Sequence, residues 1–509
     1  MTFHVYSRDR KVPQDELKTR SLRAASGFAA MGIGEDDSVA LLLRNDIPFL
    51  EVTLGTMPIG AYAVPINWHF KSEEVRYILE DSDARVIVAH ADLVAKLDNW
   101  CPDDVKIFIV PTPPEIAEAY KLDPEDCAVQ PGQVNWNSWL EEQGIHDKPT
   151  VKDRASMIYT SGTTGQPKGV RKQPMSPGQS EKLALVAKRA FGLEPGMVSA
   201  MTGPLYHSAP NGYTRSAIAV GCDMILQPRF EPEELLATIE QYKITHIHVV
   251  PTMFIRLLRL PKDIRDKYDV SSLKFVAHGA APCPIDIKLK MMDWWGPVIY
   301  EYYGSTEAGV VTIGGPEDYR AKPGTVGKPY PGTDVQILND DGKPLAANEV
   351  GEIYSALNAT LQFTYHKNDE KRAEVGHDNM VTSGDIGYLD DDGFLFLCDR
   401  KRDMIISGGV NIYPAEIEGI LVDGPGVKDC AVFGIPNEDF GESIAAAIQS
   451  EPGQDPNEDE IITYLKEHLA GYKLPRLFTF HKELPREDSG KIFKRLLRDP
   501  YWEKAGRKI

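Results

Sequence analysis

Short apolar runs and helical periodicity alternate along this chain from residue 37 onward. "SVALLLR" (38–44) has the apolar density of a buried strand, "IPFLEVTLGTMPIG" the spacing of a helix, and "AYAVPIN" (61–67) that of the next strand. "EEVRYILEDS" follows as a helix and "ARVIVA" (84–89) as a strand. Strands that alternate with helices in this way predict βαβ units and a mostly parallel sheet. The alternation resumes later. "EPEELLATIEQY" (231–242) reads as a helix with proline in its first turn, and "ITHIHVV", "LKFVAHG" (273–279) and "PVIYEYYG" (297–304) read as strands.

Around residue 321 the texture changes. "GTVGKPYPGTDVQILNDDGKPL" and "GDIGYLDDDGFLFLCDR" combine alternating strands with the turns Asp341-Gly342 and Asp392-Gly393. Asp-Gly between alternating segments is hairpin chemistry, so a small antiparallel barrel or sheet is expected there. After about residue 402 the pattern predicts a compact α+β unit. "PAEIEGILV" is a helix headed by Pro414, "VKDCAVFGI" is a strand, and "DEIITYLKEHL" sets Ile461, Leu465 and Leu469 on one helical face.

Bulk properties narrow the class. A chain of 509 residues exceeds what one hydrophobic core organises, so several domains or subdomains are expected. The formal net charge of -19 argues against a nucleic-acid-binding face, without excluding a local basic pocket for a phosphorylated ligand. Six scattered cysteines with no CxxC pair read as reduced thiols. The N-terminus has no signal-peptide core, and no apolar run approaches the roughly 18–20 residues that cross a bilayer. A cytoplasmic location without a membrane span is the expectation.

The stretch "YTSGTTGQPKGV" (159–170) spends residues 160–165 on Thr, Ser and Gly. Such a run offers hydroxyls, backbone N–H groups and unrestricted φ, which suit wrapping a polyanion such as a triphosphate. Thr160, Ser161, Gly162, Thr163, Thr164 and Gly165 would form this cradle, and Lys168 would add a point charge. The P-loop pattern does not fit. Pro167 stands where its second glycine is required, and Gly169 follows the lysine where Ser or Thr is required.

Here the sequence resembles the adenylate-forming superfamily of acyl- and aryl-CoA synthetases, peptide-synthetase adenylation domains and luciferases. Four segments carry the resemblance in order. They are the 159–170 stretch, "YYGSTEAG" (302–309), the long segment from "TSGDIGYLDDDG" to "SGGVNIYPAEIE" (382–418), and "LPREDSGKIFKR" (484–495). The resemblance implies an α/β fold. A large N-terminal AMP-binding domain (1–401) would hold βαβ-type subdomains to about residue 320 and a small antiparallel β-barrel over 321–400. A small mobile α+β C-terminal lid (403–509) would follow, with a hinge near Arg402, where family members mostly carry Asp or Lys.

The resemblance also implies roles. Lys491 would bridge the acyl carboxylate and the α-phosphate, the cation that two mutually repelling anions need in order to react. Thr306 would donate to the α-phosphate, and Glu307, a hard oxygen ligand, would hold Mg²⁺ on the triphosphate. Tyr303 would pack against adenine, with Tyr302 and Gly304 in the same nucleotide site. The backbone of Gly279, Ala280, Ala281 and Pro282 would recognise the adenine edge. Asp385 and Arg400 would contact the ribose, while Gly408 and Gly409 would line a pantetheine tunnel. Lys473 and Arg476 fit CoA phosphates and a solvated face equally. His207 matches a histidine at the acyl-pocket mouth, where a purely structural role also fits; His246 and His248 receive no role.

The implied activity is AMP-forming acyl-CoA synthesis from a carboxylic acid, ATP and CoA with Mg²⁺. The expected pocket residues are Tyr206, His207, Asn211, Tyr213, Val250, Gly279, Ala280, Tyr302 and Val310. They mix small and aromatic side chains and offer no acid for a substrate ammonium. A medium- or long-chain or bulky fatty-type acid is the leading expectation, with an aryl acid or a carrier-protein acceptor as alternatives. No carrier segment follows residue 495, so a free-standing enzyme is expected. No nucleic-acid partner is expected, and a homodimer stays open.

Overall fold

Each strand anticipated from the alternating pattern forms, and the proline-headed helices start where their prolines stand. The computed structural model describes residues 2–151, 154–160, 167–174, 177–356, 362–401, 403–408, 410–454, 456–486 and 492–505. Ser161, Gly162, Thr163, Thr164, Gly165, Arg402, Gly409 and Lys491 lie outside the described residues. The chain divides into two compact units. The first holds Met1–Pro323, Gly327–Asp334 and Ser355–Val381, and the second Gly324–Val326, Val335–Tyr354 and Thr382–Ile509.

The first unit is mixed α/β. Its largest sheet has nine strands. Six of them run parallel: Ile299–Ser305, Phe275–His278, His246–Val249, Val198–Met201, Asp223–Leu226 and His4–Ser7 in spatial order. Antiparallel strands close the two edges. Gly309–Gly314 and Lys328–Pro329 lie beyond Ile299–Ser305, and Arg10–Pro13 lies beyond His4–Ser7. A second, wholly parallel sheet orders Tyr62–Pro65, Ser38–Leu42, Ala84–His90 and Lys106–Val110. Ser38–Leu42 is buried at all five positions, as expected of a parallel strand covered by helices on both faces. The helix Pro232–Tyr242 buries Leu235, Leu236 and Ile239 against the first sheet's core and ends at Lys243 in the left-handed region (φ 49°).

A third, three-stranded antiparallel sheet places Lys168–Lys172 between Ile158–Thr160 and Phe363–Tyr365. The two strands on either side of the Thr/Ser/Gly run therefore pair with each other.

In the second unit the Asp392-Gly393 turn joins the antiparallel strands Met380–Leu389 and Leu395–Arg400, as the hairpin chemistry anticipates. A further sheet is built on the long hairpin of Val427–Asn437 with Gly441–Ser450, and Leu477–His481 runs parallel to the second of these strands. Ile461 and Leu465 are fully buried beneath it and Leu469 nearly so, which is the face anticipated from their spacing. All six cysteines are free thiols. Among the described residues no helix is long and apolar enough to cross a membrane.

Candidate active site

Within the first unit, the flanks of the Thr/Ser/Gly run are fastened to a single helix, Ser72–Asp81. On one side the Tyr159 hydroxyl donates to Asp81 Oδ2 at 2.6 Å, and on the other the Tyr77 hydroxyl donates to the Pro167 carbonyl at 3.1 Å. Asp81 and Tyr77 are one helical turn apart, so one rigid element holds both ends. Burial, then Asp81, pushes the Tyr159 hydroxyl up, and it remains a proton donor.

The strand Ile299–Ser305 leads into the turn that carries Thr306 and Glu307, and Gly309–Gly314 returns antiparallel to it with a register shift at Tyr303/Gly304. A side chain at Gly304 would place its Cβ 2.0 Å from the Gly309 carbonyl oxygen, so glycine is required for this close return. The Thr306 hydroxyl donates to Ser208 Oγ at 3.0 Å, tying the turn to the first residue of the helix Ser208–Val220.

Glu307 is held at two points. Its Oε1 accepts from the Tyr365 hydroxyl at 3.1 Å, and its main-chain carbonyl accepts from the Lys172 ammonium. Burial, followed by the Glu307 charge, pushes the Tyr365 hydroxyl up and keeps it a donor. Burial pulls Lys172 down to about 8, with Glu307 opposing. Lys168 lies 5.8 Å above the Tyr365 ring. A single carboxylate with a second oxygen to spare fits Mg²⁺, which keeps several waters and binds mainly through substrate phosphates. Among the described residues no cluster of three His, Cys, Asp or Glu gathers to hold a metal by protein ligands alone.

The neighbouring parallel strand ends at His278 and passes into Gly279, Ala280, Ala281 and Pro282. A Cβ on Gly279 would sit 2.5 Å from the Tyr302 carbonyl oxygen, so this loop lies directly on the Tyr302 strand. Ala280 adopts φ 67°, strained for a residue with a Cβ. Tyr302 is buried and Tyr303 partly exposed. The Tyr302 hydroxyl meets His248 Nε2 at 2.7 Å, and burial pulls His248 down to about 4. Phe191 packs edge-on against both Tyr302 and Tyr213, whose hydroxyl pairs with Ser199 Oγ at 2.8 Å. His207 immediately precedes the Ser208–Val220 helix, and its ring lies tilted against Tyr206 with centroids 4.4 Å apart.

The comparisons with known proteins agree over most of the chain. The AMP-binding enzyme family matches residues 2–361, and the AMP-binding enzyme C-terminal domain matches residues 416–491. The chain is 33% identical to a feruloyl-CoA synthase of Amycolatopsis sp, over 94% of this chain and 92% of that one. This chain belongs to the AMP-binding enzyme family. It falls among the acyl- and aryl-CoA ligases of the adenylate-forming superfamily, which makes it an acid–thiol ligase. A long-chain-fatty-acid–CoA ligase of Bacillus subtilis is 30% identical over 96% of this chain and 90% of its own. The fold is shared with the o-succinylbenzoate-CoA synthetase of Bacillus subtilis in complex with its acyl-adenylate intermediate (TM-score 0.79, 26% identity, 98% and 95% of the two chains).

In the second unit of this AMP-binding enzyme, Asp385 and Arg400 face each other across an antiparallel ladder, with Arg400 Nε 3.2 Å from Asp385 Oδ1. Gly384, at φ 73°, forms the preceding bend, and its carbonyl accepts from the Lys401 N–H at 2.8 Å. Gly408, at φ 58°, donates its N–H to the Phe440 carbonyl. Lys473 is engaged with Glu416 at 2.6 Å. Lys494, three residues beyond Lys491, pairs with Glu418 at 2.7 Å. Sequence reasoning passed over Lys172, Tyr365 and His248. The strand alternation offered a signal for Lys172, because Lys168, Val170 and Lys172 share one face. Tyr365 offered none, because Glu307 lies 58 residues away and its strand pairs with Lys168–Lys172 across nearly 200 residues.

Proposed function

We propose that this enzyme joins a carboxylic acid to ATP, forming an acyl-AMP and releasing pyrophosphate, and then passes the acyl group to the thiol of CoA, releasing AMP. The observation that carries this reading is the Thr306–Glu307 turn, held by Ser208, Lys172 and Tyr365 beside the strand that leaves the Thr/Ser/Gly run. Thr306 and Lys168 hold phosphate oxygens there, and Glu307 holds Mg²⁺, which supplies positive charge against the triphosphate. The Gly279–Ala280–Ala281–Pro282 backbone and Tyr303 take the adenine. Asp385 and Arg400 take the ribose, an assignment supported by their pairing across one ladder. Lys491 supplies the cation that lets carboxylate and α-phosphate meet, in a C-terminal lid that pivots near Arg402. Gly408 and Gly409 admit the pantetheine arm, and Lys473 exchanges Glu416 for a CoA phosphate.

Lys491→Ala tests the central assignment. The variant should lose acid-dependent ATP–pyrophosphate exchange while still converting preformed acyl-AMP and CoA to thioester. Exchange at the unmodified rate would refute it.

For the acid, we propose a bulky fatty-type substrate of medium or long chain. An aryl acid is the second reading, favoured by the aromatic wall of half-buried Phe191 with buried Tyr213, His248 and Tyr302, whose ring centroids lie 5.2–5.8 Å apart where Tyr302 meets Phe191 and His248. Pyrophosphate release over a panel of alkyl and aryl acids decides between them. Substituting a phosphopantetheinylated carrier protein for CoA in the same assay separates the two acceptors.

A further inference from the structure

The two-point grip on Glu307 comes from a feature that none of the four sequence motifs contains in full. Lys172 stands just past the Thr/Ser/Gly motif, and Tyr365 lies in a different part of the chain. The ladder between Lys168–Lys172 and Phe363–Tyr365 sets Tyr365 opposite Val170 and Phe363 opposite Lys172. Cross-strand partners share a face of the ribbon, so the Tyr365 hydroxyl and the Lys172 ammonium emerge together on the side that meets the Thr306–Glu307 turn. One donor takes Glu307 Oε1, the other its main-chain carbonyl. The Lys172 ammonium also lies 5.3 Å over the Phe363 ring, and Tyr365 is itself buried, so neither donor is loosely placed.

We propose that Tyr365 and Lys172 are positioning residues that fix the Glu307 carboxylate for the metal ion of a metal–nucleotide complex. The inference rests on the reading of Glu307 as that ion's protein ligand. Tyr365 occupies one carboxylate oxygen and turns the other toward the ion. Lys172 pins the backbone from which the carboxylate projects. Neither residue touches substrate in this assignment, and both act through Glu307. Outer partners of metal-ligating groups commonly govern metal affinity by about 10–100-fold.

The test is ATP binding by calorimetry on the full chain, with Mg²⁺ and again with EDTA, without acid so that no turnover occurs. The ratio of the two dissociation constants isolates the metal's share, which a merely structural residue would not move selectively. Tyr365→Phe keeps the ring and Lys172→Met the length of the side chain. Each should reduce the ratio by about 10-fold or more while leaving ATP affinity in EDTA near the unmodified value. Glu307→Gln is the reference and should abolish the ratio. If Glu307→Gln leaves the ratio intact, the metal-ligand reading itself falls. If Glu307→Gln abolishes it but both Tyr365→Phe and Lys172→Met retain it, the positioning role is overturned and the metal-ligand reading stands. Equal weakening in Mg²⁺ and EDTA likewise overturns it, since that pattern marks a general packing role. Unliganded thermal unfolding of each variant verifies that folded protein is compared.

Discussion

Beneath the strand that delivers Tyr302 and Tyr303 lies an ion pair closed off from water. Lys288, 1% exposed on the helix Ile285–Trp295, meets Glu301, 4% exposed on the strand Ile299–Ser305, with Nζ and Oε2 at 2.7 Å. The same ammonium sits 3.7 Å over the Tyr319 ring. Burial pushes the Glu301 carboxyl up, with Lys288 opposing. At that separation the attraction is about 6 kcal/mol for an effective dielectric near 20, and the desolvation of two ions, roughly several kcal/mol each, offsets it. The pair as a whole is therefore close to neutral for stability, but either half alone is not. Glu301→Leu should destabilise by about 3–5 kcal/mol, because it leaves the ammonium buried without its counter-ion. Adding Lys288→Met in the same chain should recover most of that loss, so the double variant lies within about 1 kcal/mol of the unmodified protein. Urea unfolding followed by tryptophan fluorescence reads the cycle, since Trp294 and Trp295 close the same helix. A loss in Glu301→Leu of less than about 1 kcal/mol, or a double variant as unstable as the sum of its singles, would refute this reasoning.

Two further outcomes are expected. Gly304→Ala, whose Cβ would meet the Gly309 carbonyl oxygen at 2.0 Å, should lose ATP binding measured by calorimetry, and normal affinity would show that the turn relaxes without cost. The N-terminal parallel sheet should be acid-labile. Burial works against ionisation of Asp46 and Asp92, yet His90 and Arg10 hold Asp46 below its ordinary value, and Arg44 and Thr112 do the same for Asp92. Carboxyls with depressed folded pKa values stabilise fully above their unfolded value near 3.8 and lose that contribution as pH falls through the lower folded value. The unfolding midpoint should therefore drop on acidification below that point, and Asp46→Asn should flatten the drop.

Local elements were legible because each is dictated by neighbours in sequence. The buried run Ser38–Leu42, the proline at the head of Pro232–Tyr242 and the Asp392-Gly393 turn all form from short-range chemistry. Long-range pairing left no such mark. Val5 lies opposite Met224 in the nine-stranded sheet, and nothing near either residue points to the other. Lys288 looks like a solvent-facing helical lysine in "IDIKLKMMDWW", and Glu301, 13 residues on, supplies the counter-ion that makes its burial tolerable. His248 received no role because its partner, Tyr302, lies 54 residues away.

The site follows the same division. Each strand-to-loop junction that carries chemistry was readable by itself: "FVAHGAAP" ends one strand in a small-residue loop, and "YYGSTE" ends another in a turn bearing a hydroxyl and a carboxylate. That the two junctions cooperate depends on Val276 pairing with Ile299 in parallel, which brings both carboxyl ends to one side of the sheet. In open α/β sheets ligands gather outside the carboxyl ends of parallel strands, so adjacency in the sheet brings two separate turns to the end where a ligand would gather. The Phe363–Tyr365 strand adds a third contribution that motif reading does not reach, because its relation to Glu307 exists only once Lys168–Lys172 has paired with Ile158–Thr160 on one side and Phe363–Tyr365 on the other. The candidate groups are thus announced by sequence, while their orientation is set by register. Register is also where a homologue with every motif intact would lose activity: a slip of one residue in the Lys168–Lys172 ladder would turn Tyr365 to the opposite face and leave Glu307 without its hydroxyl partner.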